Sequence, residues 1–90
     1  MNWLFSYRRK NGFRIKSYGR AGKIIFSDNE KMCEMDLEVS GVPQFDILIY
    51  FDALQFWTKP EGVLISNQEK LELRLKLIDW LAKKKLKAQL

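Results

Sequence analysis

The stretch Ser66-Asn67-Gln68-Glu69-Lys70-Leu71-Glu72-Leu73-Arg74-Leu75-Lys76-Leu77-Ile78 decides the fold, because it reads two ways. Leu71, Leu73, Leu75 and Leu77 alternate with Glu72, Arg74 and Lys76, the period of two expected of a half-buried strand. Against that, Leu, Lys, Glu and Arg are good helix formers, and no β-branched residue occurs between positions 66 and 77. Ser66 followed by Glu69 spells a capping box, in which the hydroxyl takes the Glu69 amide and the carboxylate reaches back to the Ser66 amide. No Gly or Pro follows Gly62, so nothing breaks the segment. The spacing predicts one long helix, over about 66–87.

On that helix the apolar residues fall into two sectors at about 100° per residue. Leu71, Leu75, Ile78, Ala82 and Leu86 form a narrow stripe, which is expected to dock on a sheet. Leu73, Leu77, Trp80 and Leu81 lie nearly opposite, and Glu72, Lys76, Asp79, Lys83 and Lys87 form a wet face between the two. One stripe suffices for docking. The second is expected to be buried too, under the loop at 57–64 or against a partner, since monomers rarely expose a large apolar patch.

Upstream, the period is two. Trp3, Phe5 and Tyr7 alternate with Leu4 and Ser6, and Asn11-Gly12 carries the hairpin signal of a type I′ turn. Phe13, Ile15 and Ser17 oppose Arg14, Lys16 and Tyr18; after the turn at 19–22, Ile24, Ile25 and Phe26 make a short apolar strand. In 32–39, Cys33, Met35, Leu37 and Val39 face away from Glu34, Asp36 and Glu38, whose acidic stripe is expected to pair with Arg14 and Lys16. Phe45 to Phe51 is apolar except at Asp46, as a covered central strand would be. Asp52 to Trp57 reads as a helical turn that Pro60-Glu61-Gly62 breaks. The fold class is therefore α+β: an antiparallel sheet of about five strands, within about 3–51, followed by one C-terminal helix. Ninety residues are expected to form a single domain, since domains typically hold about 100–150 residues.

Composition restricts the chemistry. The chain has no histidine and one cysteine, which leaves no imidazole base, no Ser-His or Cys-His pair and no zinc ligand set. Gly19-Arg20-Ala21-Gly22 lacks the spacing of a phosphate loop. Cys33 falls in the apolar set of its strand, the place of an inert core thiol. No catalytic residues, metal or cofactor are expected. Without a leader-like apolar run or a span near the ~18 residues that a membrane helix needs, a cytoplasmic chain is expected, with no membrane partner.

The net charge of +5 hides three blocks: residues 1–27 carry +7, residues 28–72 carry −7, and residues 73–90 carry +5. Such segregation fits either nucleic-acid binding or basic and acidic strands that lie side by side and neutralise one another.

The second half resembles the immunity protein 74 family, small bacterial immunity proteins of polymorphic toxin systems. The matching residues are Ile49-Tyr50, Ala53-Leu54, Trp57-Thr58-Lys59-Pro60, Ile65-Ser66, Glu69 and the helix through Ile78, with Gly19-Arg20 in the earlier hairpin. The resemblance spans residues 12–82 loosely and 47–80 more tightly. It implies a β-rich first half and a non-enzymatic antitoxin that binds one cognate toxin and occludes it. Candidate partner-binding residues are Leu73, Leu77 and Trp80 on the second sector, Arg20 in the basic hairpin, and Trp57. For Trp57 the competing role is a core tryptophan clamped over the sheet by Pro60. A second copy meeting at Leu73, Leu77 and Trp80 is another use of that sector. The rival class is a small basic nucleic-acid-binding module, stacking bases on Trp3, Phe5, Tyr7, Phe13 and Tyr18. Those aromatics share strand faces with other apolar residues, so nucleic acid is the less favoured partner.

Overall fold

A computed structural model of the chain describes residues 11–90. The expected first strand, at 3–8, lies outside the described residues. Strand β1 (Gly12–Tyr18) turns through Gly19 and Arg20 into β2 (Ala21–Asp28). A second two-residue turn, with Asn29 in the left-handed region at φ 53°, leads to β3 (Lys31–Val39). Then come β4 (Ile47–Ile49), a 3₁₀ turn (Phe51–Ala53), helix α1 (Asn67–Lys83) and β5 (Ala88–Gln89). The five strands form one sheet in the order β1-β2-β3-β4-β5. Neighbours are antiparallel except β4 and β5, which run parallel. The expected α+β architecture is present, with its fifth described strand after the helix rather than before β1.

Register assigns the faces. Phe13, Ile15, Ile24, Phe26, Cys33, Met35 and Leu37 lie on one side, through the pairs Phe13↔Phe26↔Cys33, Ile15↔Ile24↔Met35 and Gly22↔Leu37↔Ile49. Ile24, Phe26, Cys33, Met35, Leu37 and Ile49 join Phe51, Leu54, Trp57 and Ile65 in a single apolar cluster, with Phe13 packed against it and Ile15 exposed at its edge. Gly22 is required where it stands, since a Cβ there would sit 2.3 Å from the Lys16 carbonyl oxygen of β1.

Helix α1 covers this face, but with the sector opposite to the one expected. Leu73, Leu77 and Leu81 are buried in the cluster, Leu77 completely, and Trp80 packs beside Phe13 with ring centroids 5.5 Å apart. Leu71, Leu75 and Ile78 are 53%, 59% and 44% exposed. The docking stripe is thus Leu73-Leu77-Leu81 with Trp80, because that set hides more apolar surface than one ending in Ala82.

The helix also stops sooner than the expected 87. Lys85 adopts φ 59°, its amide donates to the Ala82 carbonyl at 3.0 Å, and the Leu86 amide donates to the Leu81 carbonyl at 3.0 Å. This is a Schellman motif, completed by Leu81 and Leu86 on the same apolar cluster. The three lysines favour continuation; Leu86, seeking the core, turns the chain back so that β5 can pair with β4.

Candidate partner-binding surface

The start of α1 is fixed by two devices. Ser66 Oγ accepts from the Glu69 amide at 3.1 Å, and Glu69 Oε1 accepts from the Ser66 amide at 2.9 Å, which completes the capping box. The other Glu69 oxygen forms an ion pair with Lys31 Nζ of β3. Lys31, with the Ser66 amide next, holds the Glu69 carboxyl down at about 2. The Lys31 ammonium also lies 5.2 Å from the Trp57 ring centroid, so one side chain ties the sheet, the loop and the helix N-terminus together.

Trp57 itself is buried in the core cluster, the structural one of its two expected roles. The Trp57 amide donates to Val63 O at 2.8 Å and the Ile65 amide to Gln55 O at 2.9 Å, folding 55–65 into a hairpin-like loop with a Phe56↔Leu64 bridge. Leu73 and Leu77 lie beneath this fold, not on its surface, and Trp80 is half-buried. Of the five candidate residues, Arg20 alone is exposed, in the β1–β2 turn, where its carbonyl accepts from the Val39 amide at 2.9 Å.

On the sheet face away from α1, the acidic residues of β3 do not pair with Arg14 and Lys16, because β2 stands between β1 and β3. Lys23 of β2 is the partner, opposite Asp36 in register and 2.7 Å from its Oδ1. Glu38 accepts from the Tyr50 hydroxyl, which raises the Tyr50 pKa. Ile25, between Arg14 and Glu34 in register, is buried on this side. Arg14, Lys16 and Arg20 are exposed and make no ion pair among the described residues. The result is a basic rim at β1 and, across β2, an acidic strip at β3.

The surface missed by sequence reasoning is the outer stripe of α1, Leu71, Leu75 and Ile78. The signal that finds it is bulk: of two apolar sectors, the one with Trp80 and three leucines at spacing four goes inward.

Burial pushes the Cys33 thiol up to about 12, with Glu34 adding to the shift, so it stays protonated and unreactive at neutral pH. Among the described residues, no three His, Cys, Asp or Glu side chains come together as a metal site, and no helix is long and apolar enough to cross a membrane. Three clefts hold about 130, 290 and 240 Å³, below the roughly 300–1,000 Å³ of ordinary small-molecule sites. The first lies between Lys31, Trp57, Glu69 and Lys76, whose polar groups are engaged with one another or with neighbouring rings. No known protein family, curated protein or solved structure matches the chain.

Proposed function

We propose that this chain is a non-enzymatic immunity protein of the bacterial cytoplasm, which binds one cognate protein toxin and neutralises it by covering its working surface. The motif order from Ile49-Tyr50 through Trp57-Thr58-Lys59-Pro60 to the Ser66 cap supports the family resemblance. The observation that carries the reading is the basic rim of β1: Arg14, Lys16 and Arg20 are exposed without acidic partners among the described residues. Since Leu73, Leu77 and Trp57 are spent in the core, Arg20 and its neighbours are the contact residues, and the toxin presents an acidic surface to them. Such charges accelerate encounter more than they deepen affinity, which suits an inhibitor that must act before its toxin does.

The basic nucleic-acid module fits less well. Phe13 is packed against Phe26 and Trp80, with centroids 4.9 and 5.5 Å away, and offers no free ring for a base.

The test is co-expression and co-purification with the product of the gene next to its own, assayed for toxicity. Stoichiometric complex and rescue of growth are expected, with both weakened by Arg14→Glu combined with Arg20→Glu in a protein that keeps its melting temperature. Failure to protect against the neighbouring gene product, or salt-sensitive binding of single-stranded nucleic acid in its place, would overturn the reading.

A further inference from the structure

We infer that the outer face of α1 is a self-association surface, on which a second copy of this chain docks its own α1 antiparallel about a two-fold axis. Leu71, Leu75 and Ile78 are each more than 40% exposed and continue into exposed Ala82, a stripe at spacings of four, three and four. Isolated exposed leucines need no explanation, but a row along one helix face is the form of a packing seam.

What covers the row is indicated by the charges beside it. Glu72, Lys76, Asp79 and Lys83 follow the apolar positions one residue later, at the same spacing, and are all exposed. Their signs alternate along the helix: minus, plus, minus, plus. A two-fold axis perpendicular to an antiparallel helix pair brings the same flank of each copy together and reverses its order. Glu72 then meets Lys83 of the other copy, and Lys76 meets Asp79, each pair twice. About the same axis, which falls between positions 77 and 78, the apolar rows of the two copies interlock, with Ala82 of one falling between the levels of Leu71 and Leu75 of the other. A parallel pair would instead bring this row against Asn67, Lys70 and Arg74 of the opposite flank, leaving Lys76 and Lys83 against like charge. Within one copy the row is only partly satisfied: Asp79 pairs with Lys83 at 3.0 Å, and Glu72 accepts from Gln68 at 3.0 Å. Lys76 lies over the Phe26 ring, 5.8 Å from its centroid, so no Glu72–Lys76 bridge closes the pattern internally.

One helix face of 17 residues is small beside the roughly 1,200–2,000 Å² of a standard interface, so the dimer is weak and exchanges freely. The stripe faces away from the sheet, and the basic rim of β1 stays accessible in both copies.

Sedimentation of the full chain from micromolar to millimolar concentration tests this. A reversible monomer–dimer equilibrium is expected, and Leu75→Glu should weaken it at least about tenfold while circular dichroism stays unchanged. Two charge variants test the geometry: Glu72→Lys with Asp79→Lys makes the row wholly basic, and Lys76→Glu with Lys83→Glu makes it wholly acidic. Each should be monomeric alone, and an equimolar mixture should regain the dimer. A chain monomeric throughout, a dimer indifferent to Leu75→Glu, or charge variants that self-associate as the parent does would each overturn the inference. If Leu75→Glu and Leu75→Gln both lose helical signal, the stripe is core and the inference fails.

Discussion

The side chain of Asp46 accepts a hydrogen bond from the backbone amide of Lys87 at 2.9 Å, while the Lys87 carbonyl accepts from the Asp46 amide at 2.6 Å. The pair opens the parallel ladder of β4 and β5, whose next register partners are Ile47 and Ala88. An acidic residue in an otherwise apolar run thus holds the returning C-terminal strand onto the sheet.

Replacing Asp46 with Ala leaves the Lys87 amide without its acceptor and should cost about 1 kcal/mol. The loss is expected to be local first: amide exchange at Ala88 and Gln89 should speed up before the main melting transition moves. Asp46→Asn retains a carbonyl acceptor and should lose less.

Lys85 occupies the left-handed position of the Schellman motif, where a side chain costs about 1 kcal/mol relative to glycine. Lys85→Gly should therefore raise the melting temperature, although the substitution deletes an exposed lysine from a helix end. An unchanged or lowered melting temperature would show that the C-terminal turn is held by Leu86 packing alone.

The capping box gives a pH dependence with a definite sign. Because Glu69 titrates lower in the folded chain, at about 2, than the ordinary ~4.3 of an unfolded glutamate, the folded state binds fewer protons there. Its contribution is complete above the unfolded value and is lost as pH falls through the folded one. Stability should decline between those two values, and Glu69→Gln should flatten that part of the curve. Ser66→Ala removes the other half of the box and should cost about 1 kcal/mol at neutral pH.

How much of this was legible in the sequence depends on whether the deciding force was local. The Ser66–Glu69 cap was legible because both partners lie within one turn. The strand at 31–39 was too, because alternation over Cys33, Met35 and Leu37 suits no helix face. The partner of Asp36 was not, since it depends on which strand lies next in the sheet, and adjacency in charge suggested Arg14 and Lys16. The helix end was hidden for a similar reason: Lys83-Lys84-Lys85 is locally helical, and only the pull of Leu86 on a distant core and of Asp46 on Lys87 turns the chain. For the candidate site, Arg20 was found as an exposed base in a turn. Leu73 and Leu77 read equally as core or as partner contacts because two apolar sectors look alike until their bulk is compared, and Trp57 takes the core role of its two expected ones.

That comparison yields the most direct test of the helix orientation. Leu75 and Leu77 are the same residue type, two positions apart on one helix, yet Leu77 is completely buried and Leu75 is 59% exposed. Truncating Leu77 to Ala opens a cavity in the apolar cluster between helix and sheet and should cost about 2–5 kcal/mol. Leu75→Ala removes a side chain already in water and should stay within about 0.5 kcal/mol in dilute solution, helped slightly by alanine's helix propensity. Denaturant melts of the two variants at low micromolar concentration separate the cases. The double variant Leu73→Glu with Trp80→Glu puts two charges into the docking face and should not fold at all. Equal losses at Leu75 and Leu77 would mean that both sectors are covered in the monomer, and a larger loss at Leu75 would reverse the docking face. The basic rim of β1 would remain exposed in either case, because its exposure does not depend on which helix sector faces the sheet.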